Sequence, residues 1–317
     1  MFEIVRYSAS LKDEWNLFVA QSRNGTFLFD RNYMDYHSDR FEDHSLMFYK
    51  KGKLFALFAA NEKDHILYSH QGLTYGGLIT TVKTKTEEVL QIFHELNTYY
   101  KSIGFQKIIY KAIPSIYHKW PAEEDLYALT SACHARLIMR DISSTILLNK
   151  QLPLMESRKS GIRKALQAGI KVTESDDIDA FWKILQANLQ HKYGINPVHT
   201  AAELKLLKSR FPRQIRLFLT KLDDKPLGGT ILFITPTVVH TQYISATEEG
   251  KQKGALDLLF KEILKKDWNV DFFDFGKSTS TESCELNRKL IFQKEGFGGR
   301  GVCYDTYEWA LKESVHL

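Results

Sequence analysis

Several groups of side chains in this 317-residue chain could do chemistry. Lys294 stands in Phe292-Gln293-Lys294-Glu295-Gly296-Phe297-Gly298-Gly299-Arg300, where glycines let backbone crowd a substrate. A fixed ammonium there could stabilise a developing oxyanion. His240 and Tyr243 lie in Val239-His240-Thr241-Gln242-Tyr243, which reads as a strand. Alternation puts Thr241 and Tyr243 on one face and His240 with Gln242 on the other, so only one pair can meet a substrate. Tyr243 is the favoured acid or orienting group. His191 and His199 flank a loop, and His199 could act as a base near neutral pH.

Charge supplies a second kind of site. Gly250-Lys251-Gln252-Lys253-Gly254-Ala255 precedes an amphipathic helix, whose free N–H groups and positive dipole end could hold an anion. Arg158, Lys159, Arg163 and Lys164 cluster on one predicted helix, with Lys159 and Arg163 at i,i+4 on one face as a phosphate-steering rim. Net charge of +5 and a pI near 8.8 suit phosphate-bearing partners, yet fall well short of a dedicated nucleic-acid binder. No HExxH, paired carboxylate or nucleophile elbow is present, which argues against metal and covalent mechanisms.

The elements that must position these residues fall into two series. The first begins with helices over Leu11–Ser22 and from Asp30, an N-cap, to Asp39. A hairpin follows (Ser45–Lys50, Leu54–Ala60), then a strand His65–Ser69 and the loop Gly72–Gly77. A long amphipathic helix Thr84–Ile103, a strand Lys107–Ala112, a helix Ala122–Ala132 and strands Ala135–Asp141 and Ser144–Leu148 complete it. The second series opens with the basic helix from Met155, its apolar stripe Ile162, Leu166 and Ile170. Strand Ile170–Glu174 and helices Asp179–Tyr193 and Ala201–Phe211 come next. Then come the hairpin Gln214–Lys221 and Leu227–Ile234, strand Val238–Ile244, a loop from Glu248, helix Gly254–Lys266 and strand Asp271–Phe275. The order recurs at an offset of about 170 residues with little identity, a repeat of elements rather than of residues. Two related α/β domains in tandem are expected, 1–149 and 150–317, each a mixed, mostly antiparallel sheet flanked by helices.

Composition sets the bounds. Hydrophobic content of 44% and charged content of 26% are those of a globular chain. No apolar run approaches the roughly 20 residues of a membrane helix. Cys133, Cys284 and Cys303, scattered and without a CxxC pair, read as buried small hydrophobes in a reducing compartment. With no signal-peptide pattern at Met1-Phe2-Glu3-Ile4-Val5-Arg6, a cytoplasmic location is expected.

The order hairpin, strand, loop, helix, strand resembles the GNAT acyltransferase superfamily. In tandem form it resembles the Fem-type aminoacyl transferases and BioF/CelD-type acetyltransferase domains. The resemblance spans nearly the whole chain. It is most specific over Gly254–Leu259, Phe273-Asp274-Phe275-Gly276-Lys277-Ser278 and Gln293–Gly298, with Asn196-Pro197-Val198-His199-Thr200 and the Val239–Tyr243 strand alongside. It implies transfer of an acyl or aminoacyl group, by direct attack, from acyl-CoA or aminoacyl-tRNA to an amine acceptor such as a sugar-linked amine or peptidoglycan precursor. It assigns Lys294 to the active site and places the donor on Gly250, Lys251, Lys253, Gly254 and Ala255. Tyr243 and His199 are the further catalytic candidates, and His240, Gln242, Gly276, Ser278, Asn287, Lys159 and Arg163 the expected substrate contacts. The donor loop departs from the family pattern, with Lys251 for Arg or Gln and Leu256 for Gly or Ala. In the first domain, Ile79-Thr80-Thr81-Val82 separates the glycines from the helix, so that domain is expected to be a degenerate scaffold. The rival expectation is a non-catalytic tandem module that binds a nucleotide-sugar, peptide or RNA.

Overall fold

A computed structural model describes residues 1–280 and 285–311. Cys284 lies outside the described residues. The chain divides into two compact units, Met1–Asp141 with the segment from Cys303, and Ile142–Val302. This differs from a single cut after Asn149. Ile142-Ser143, read as a break between two strands, instead lies inside one strand of twelve residues, Arg136–Leu147. The chain changes unit within that strand, and again within the final strand, Arg300–Ala310, which the sequence reading left unassigned.

The first unit runs β1 (Glu3–Arg6), α1 (Lys12–Gln21), α2 (Arg31–Met34), β2 (Glu42–Asp43), β3 (Leu46–Lys50), β4 (Lys53–Phe58), β5 (Asn61–Lys63), β6 (Ile66–Tyr68), β7 (Leu78–Thr80), α3 (Thr86–Ser102), β8 (Lys107–Lys111), α4 (Glu124–Ser131) and the start of β9 (Arg136–Leu147). Asp30 caps α2 as expected, its side chain accepting from Asn32 N at 2.7 Å. Lys51 and Gly52 turn the β3–β4 hairpin with φ of 51° and 70°, the pair of left-handed residues whose twist suits a two-residue hairpin. The sheet β1-β3-β4-β7 is antiparallel, and a second sheet carries the order β8-β6-β5-β2 with β6 and β8 parallel. Helix α3 buries Val89, Ile92, Phe93, Leu96 and Tyr100 in a core with Phe58, Ile108 and Tyr110. Cys133 is buried there, whereas Cys303 is exposed, contrary to its expected burial.

The second unit continues with α5 (Glu156–Gln167), β10 (Lys171–Ser175), α6 (Ile178–Tyr193), α7 (Ala201–Arg210), β11 (Ile215–Leu222), β12 (Lys225–Ile234), β13 (Val238–Ala246), α8 (Glu248–Gln252), α9 (Ala255–Leu264), β14 (Phe272–Lys277), α10 (Arg288–Glu295) and β15 (Arg300–Ala310). Its sheet has the order β10-β11-β12-β13-β14-β9, antiparallel except for the pair β13–β14. Helix α9 covers one face with Leu259, Phe260 and Ile263 against Leu232, Val239 and Phe273. Helix α5 packs on α9 through Ile162 and Ala165, while Leu166 is exposed instead of joining the stripe. The reason is that α5 approaches through Gly161, whose missing side chain turns that flank inward. The whole molecule thus carries two tandem α/β domains of related element order, as expected. Among the described residues no helix is long and apolar enough to cross a membrane.

Candidate active site

The parallel strand pair of the second unit is short. Strands β13 and β14 pair at Val238/Phe272, Val239/Phe273 and His240/Asp274, and no further. Beyond His240 and Asp274 the two strands carry no ladder to each other, so main-chain groups facing the gap are left to other partners. A bulge opposite Ile231/Leu232 sets the side chains at this point. Leu232 pairs with Thr241 and Ile231 with Tyr243, so Gln242 is the extra residue. Paired residues share a face. Thr241 therefore lies with Leu232 on the α9 side, and His240 and Tyr243 lie with Phe233 and Ile231 on the other. This corrects the simple alternation, which had separated His240 from Tyr243.

His240 is buried, and its Nδ1 lies 2.8 Å from Asp274 Oδ2. The fully buried Asp274 carboxylate also accepts from Ser143 Oγ, from Thr145 Oγ1 at 2.8 Å and from Gly276 N at 3.3 Å. Such an array compensates the cost of burying the charge. With the proton on Nδ1 held by Asp274, the basic nitrogen of a neutral His240 is Nε2. Gly276, at φ +72°, closes on the ring; a Cβ there would stand 3.2 Å from His240 Cε1.

Lys294 joins this network from α10. Its Nζ donates to Gly276 O at 2.8 Å, Lys277 O at 2.8 Å and Ser278 Oγ at 3.0 Å. An ammonium has three protons, and all three are in use. Burial pulls the Lys294 pKa down to about 8, against the opposing pull of the Asp274 charge. In this arrangement Lys294 fixes the end of β14 rather than aiming its ammonium at an oxyanion. Asn287 caps α10 by accepting from Leu290 N at 3.1 Å, and its own N–H donates to Ser278 O at 2.8 Å. Gly276, Ser278, Asn287 and Lys294 therefore form one cluster, linked to His240 through Asp274.

His199 and Tyr243 also come together, His199 Nδ1 lying 2.6 Å from the Tyr243 hydroxyl. Burial pushes the Tyr243 pKa up to about 12, so the phenol keeps its proton at neutral pH. Trp182 of α6 stands edge-on to the Tyr243 ring at 5.3 Å. Gln242 Oε1, on the bulge, is buried and accepts no hydrogen bond.

The donor loop and the basic face lie elsewhere. Glu248–Gln252 is helical where a loop was expected, and Thr247 caps it by accepting from Gly250 N at 3.0 Å. Lys251 N, Lys253 N and Gly254 N donate to Thr247 O, Glu249 O and Lys251 O. These three amides thus serve the helix turns themselves. Gly254, at φ +72°, lies against α5, where a Cβ would come 2.2 Å from Gly161 O; its close approach serves packing. Ala255 is fully buried in the same contact. Lys251 and Lys253 lie near Glu248 and Glu249 at 3.3 and 3.9 Å. On α5, Arg158 turns inward to Asp257 at 2.6 Å, whereas Lys159 and Arg163 are exposed and Arg163 pairs with Glu156.

Asp274, Ser143 and Thr145 had no role in the sequence reading. Asp274 did carry a signal: a carboxylate inside the apolar run Phe272–Phe275 must find buried donors. The two hydroxyls gave none, since their strand had been divided near them.

Comparison with known proteins bears on the fold. Residues 156–282 match the family model of an acetyltransferase (GNAT) domain. No curated protein matches in sequence. Among solved structures, FemX superposes with a TM-score of 0.68 at 11% identity, covering 97% of each chain. The C-terminal domain of a putative lysylphosphatidylglycerol synthetase from Agrobacterium fabrum gives 0.62 at 10% identity, over 96% of this chain and 93% of that one. A tandem GNAT protein from the clavulanic acid biosynthesis pathway gives 0.56 at 11% identity, over 99% and 100%. The chain has the fold of tandem GNAT proteins, and residues 156–282 of its second unit are similar to an acetyltransferase (GNAT) domain.

Proposed function

We propose that this N-acyltransferase moves an aminoacyl group from an activated ester to an acceptor amine, with His240 as general base. The observation that carries the reading is the buried His240–Asp274 pair at the point where β13 and β14 part. An attacking ammonium must lose a proton; His240 Nε2 can take it, and Asp274 stabilises the imidazolium that results. Tyr243, on the same face and held by His199, is suited to donate to the oxygen or leaving group as charge develops. The buried Gln242 Oε1 is an acceptor suited to the incoming amine. Lys294, Gly276, Ser278 and Asn287 hold the strand end that carries Asp274.

Aminoacyl-tRNA is favoured over acyl-CoA as the donor because the amides of Gly250–Gly254 are used within α8 and Gly254 is covered by α5. The fold shared with FemX and with a domain named for lysylphosphatidylglycerol synthesis is consistent with aminoacyl transfer. Acyl-CoA remains the second reading, supported by the acetyltransferase (GNAT) domain match. Lys159 and the exposed face of α5 offer phosphates a first contact.

Two measurements test this. Thermal-shift titration with coenzyme A and acetyl-coenzyme A should give no rise in melting temperature at millimolar ligand, whereas a saturable rise would restore the thioester. Transfer from labelled aminoacyl-tRNA to an amine acceptor should fall by about 10²–10⁴ in His240→Ala with donor binding retained. Full turnover in His240→Ala would remove the general base and with it the mechanism.

A further inference from the structure

The first unit holds a cluster remote in sequence from all of this chemistry. Strands β2 and β5 are antiparallel, and Glu42 stands directly opposite Glu62. Like charges at facing positions destabilise a strand pair unless a cation answers them. His44, one residue beyond β2, points between them. Its Nε2 lies 3.5 Å from Glu42 Oε1 and 3.1 Å from Glu62 Oε2, and one ligand atom from each side chain lies within 4.8 Å of the others. The imidazole is almost wholly buried, and neither ring nitrogen makes a hydrogen bond.

We infer that Glu42, His44 and Glu62 bind a divalent transition-metal ion of the zinc class. At metal–ligand distances of about 2.0–2.2 Å, the edges of a tetrahedron are about 3.3–3.6 Å, close to the two separations found here. One imidazole and two carboxylates form a donor set suited to zinc and its neighbours rather than to magnesium or calcium, which favour oxygen alone. The backbone fixes the ligands: His44 N donates to Ala60 O at 2.9 Å, and His44 O accepts from Tyr100 Oη at 2.6 Å. Glu42 is largely exposed, so water can complete the coordination shell. The ion would neutralise the facing glutamates and clasp the β2–β5 edge. None of the residues belongs to the His240–Asp274 network.

The test uses the untagged full-length chain, stripped with a chelator and titrated with Zn²⁺ and Co²⁺. One equivalent should bind, raise the melting temperature and, for Co²⁺, give visible ligand-field bands. Glu42→Gln, at an exposed position, should weaken binding by at least about tenfold. Glu42→Gln/Glu62→Gln should abolish it with the fold retained by circular dichroism. Absence of saturable binding up to about 1 mM Zn²⁺ would overturn the site. Equal binding by the double variant would overturn it as well, by placing the metal elsewhere.

Discussion

The two units solve one geometric problem in opposite ways. Each has a parallel strand pair joined through a helix, and each pair runs for three residues: β6–β8 in the first unit and β13–β14 in the second. In the second, the last pair is His240 with Asp274; in the first, the same place holds Tyr68 with Ile109. The first unit then fills its own gap. Ser69 N donates to Ile109 O, Lys111 N to Ser69 Oγ, Gly76 N to Lys111 O, and Lys111 Nζ to Gln71 O and Leu73 O. A Cβ on Gly76 would lie 1.7 Å from Ser69 O, so the loop is packed backbone on backbone. In the second unit ionisable groups stand where the strands part, whereas in the first a packed loop occupies that place.

Exchanging the chemistry breaks the comparison most sharply. His240→Ala should lower turnover by about 10²–10⁴, whereas Tyr68→Ala at the matching position should leave it unchanged in the same transfer assay. The next largest effect separates packing from donor binding. Gly254→Ala puts a Cβ onto the backbone of Gly161 in a left-handed conformation and should cost about 2 kcal/mol or more. Chemical denaturation should register that loss, and donor affinity measured below the transition should not change.

Lys294→Met should cost about 1–3 kcal/mol, because two carbonyls and a hydroxyl lose their donor. It should also remove a pH effect. Folded Lys294 releases its proton near pH 8, while the unfolded side chain keeps it to 10.5. The unfolded state then binds more protons between those values, so wild-type stability gains from this group as pH rises through that window. Urea melts at pH 7.5 and about 10 should show the gain in wild type and not in the variant.

The smallest expected effect lies in the first unit. Burial raises the Asp125 pKa from 3.8 to about 6, against the hydrogen bond from Tyr110. Here the folded state holds the proton longer, so stability falls as pH rises from about 4 to 6. Asp125→Asn should flatten that fall, without changing the response near pH 8–10 that belongs to Lys294.

Much of the fold was legible. The periodic apolar residues of α1, α3 and α6, the capping Asp30 and the hairpin turns at Gly52 and Asp223 are local signals, and the elements formed where those signals lay. The site was legible in part. Tyr243 with His199, and Lys294 with Gly276, Ser278 and Asn287, were named separately, and the structure joins them into groups. Alternation failed at Gln242 because a bulge depends on the facing strand, which no local pattern reveals. The Gly250–Ala255 segment carried the composition of a phosphate loop, but composition does not tell whether a glycine admits a ligand or another helix.

The sequence by itself determined the element order, its repetition, the amphipathic faces and the candidate acids and bases, because these follow from periodicity and side-chain chemistry over a few residues. Tertiary structure alone decided which groups touch. Asp274 meets Ser143 and Thr145 across about 130 residues, Gly254 meets Gly161, and Glu42 faces Glu62, because strand pairing and helix packing bring together backbones that the chain keeps far apart.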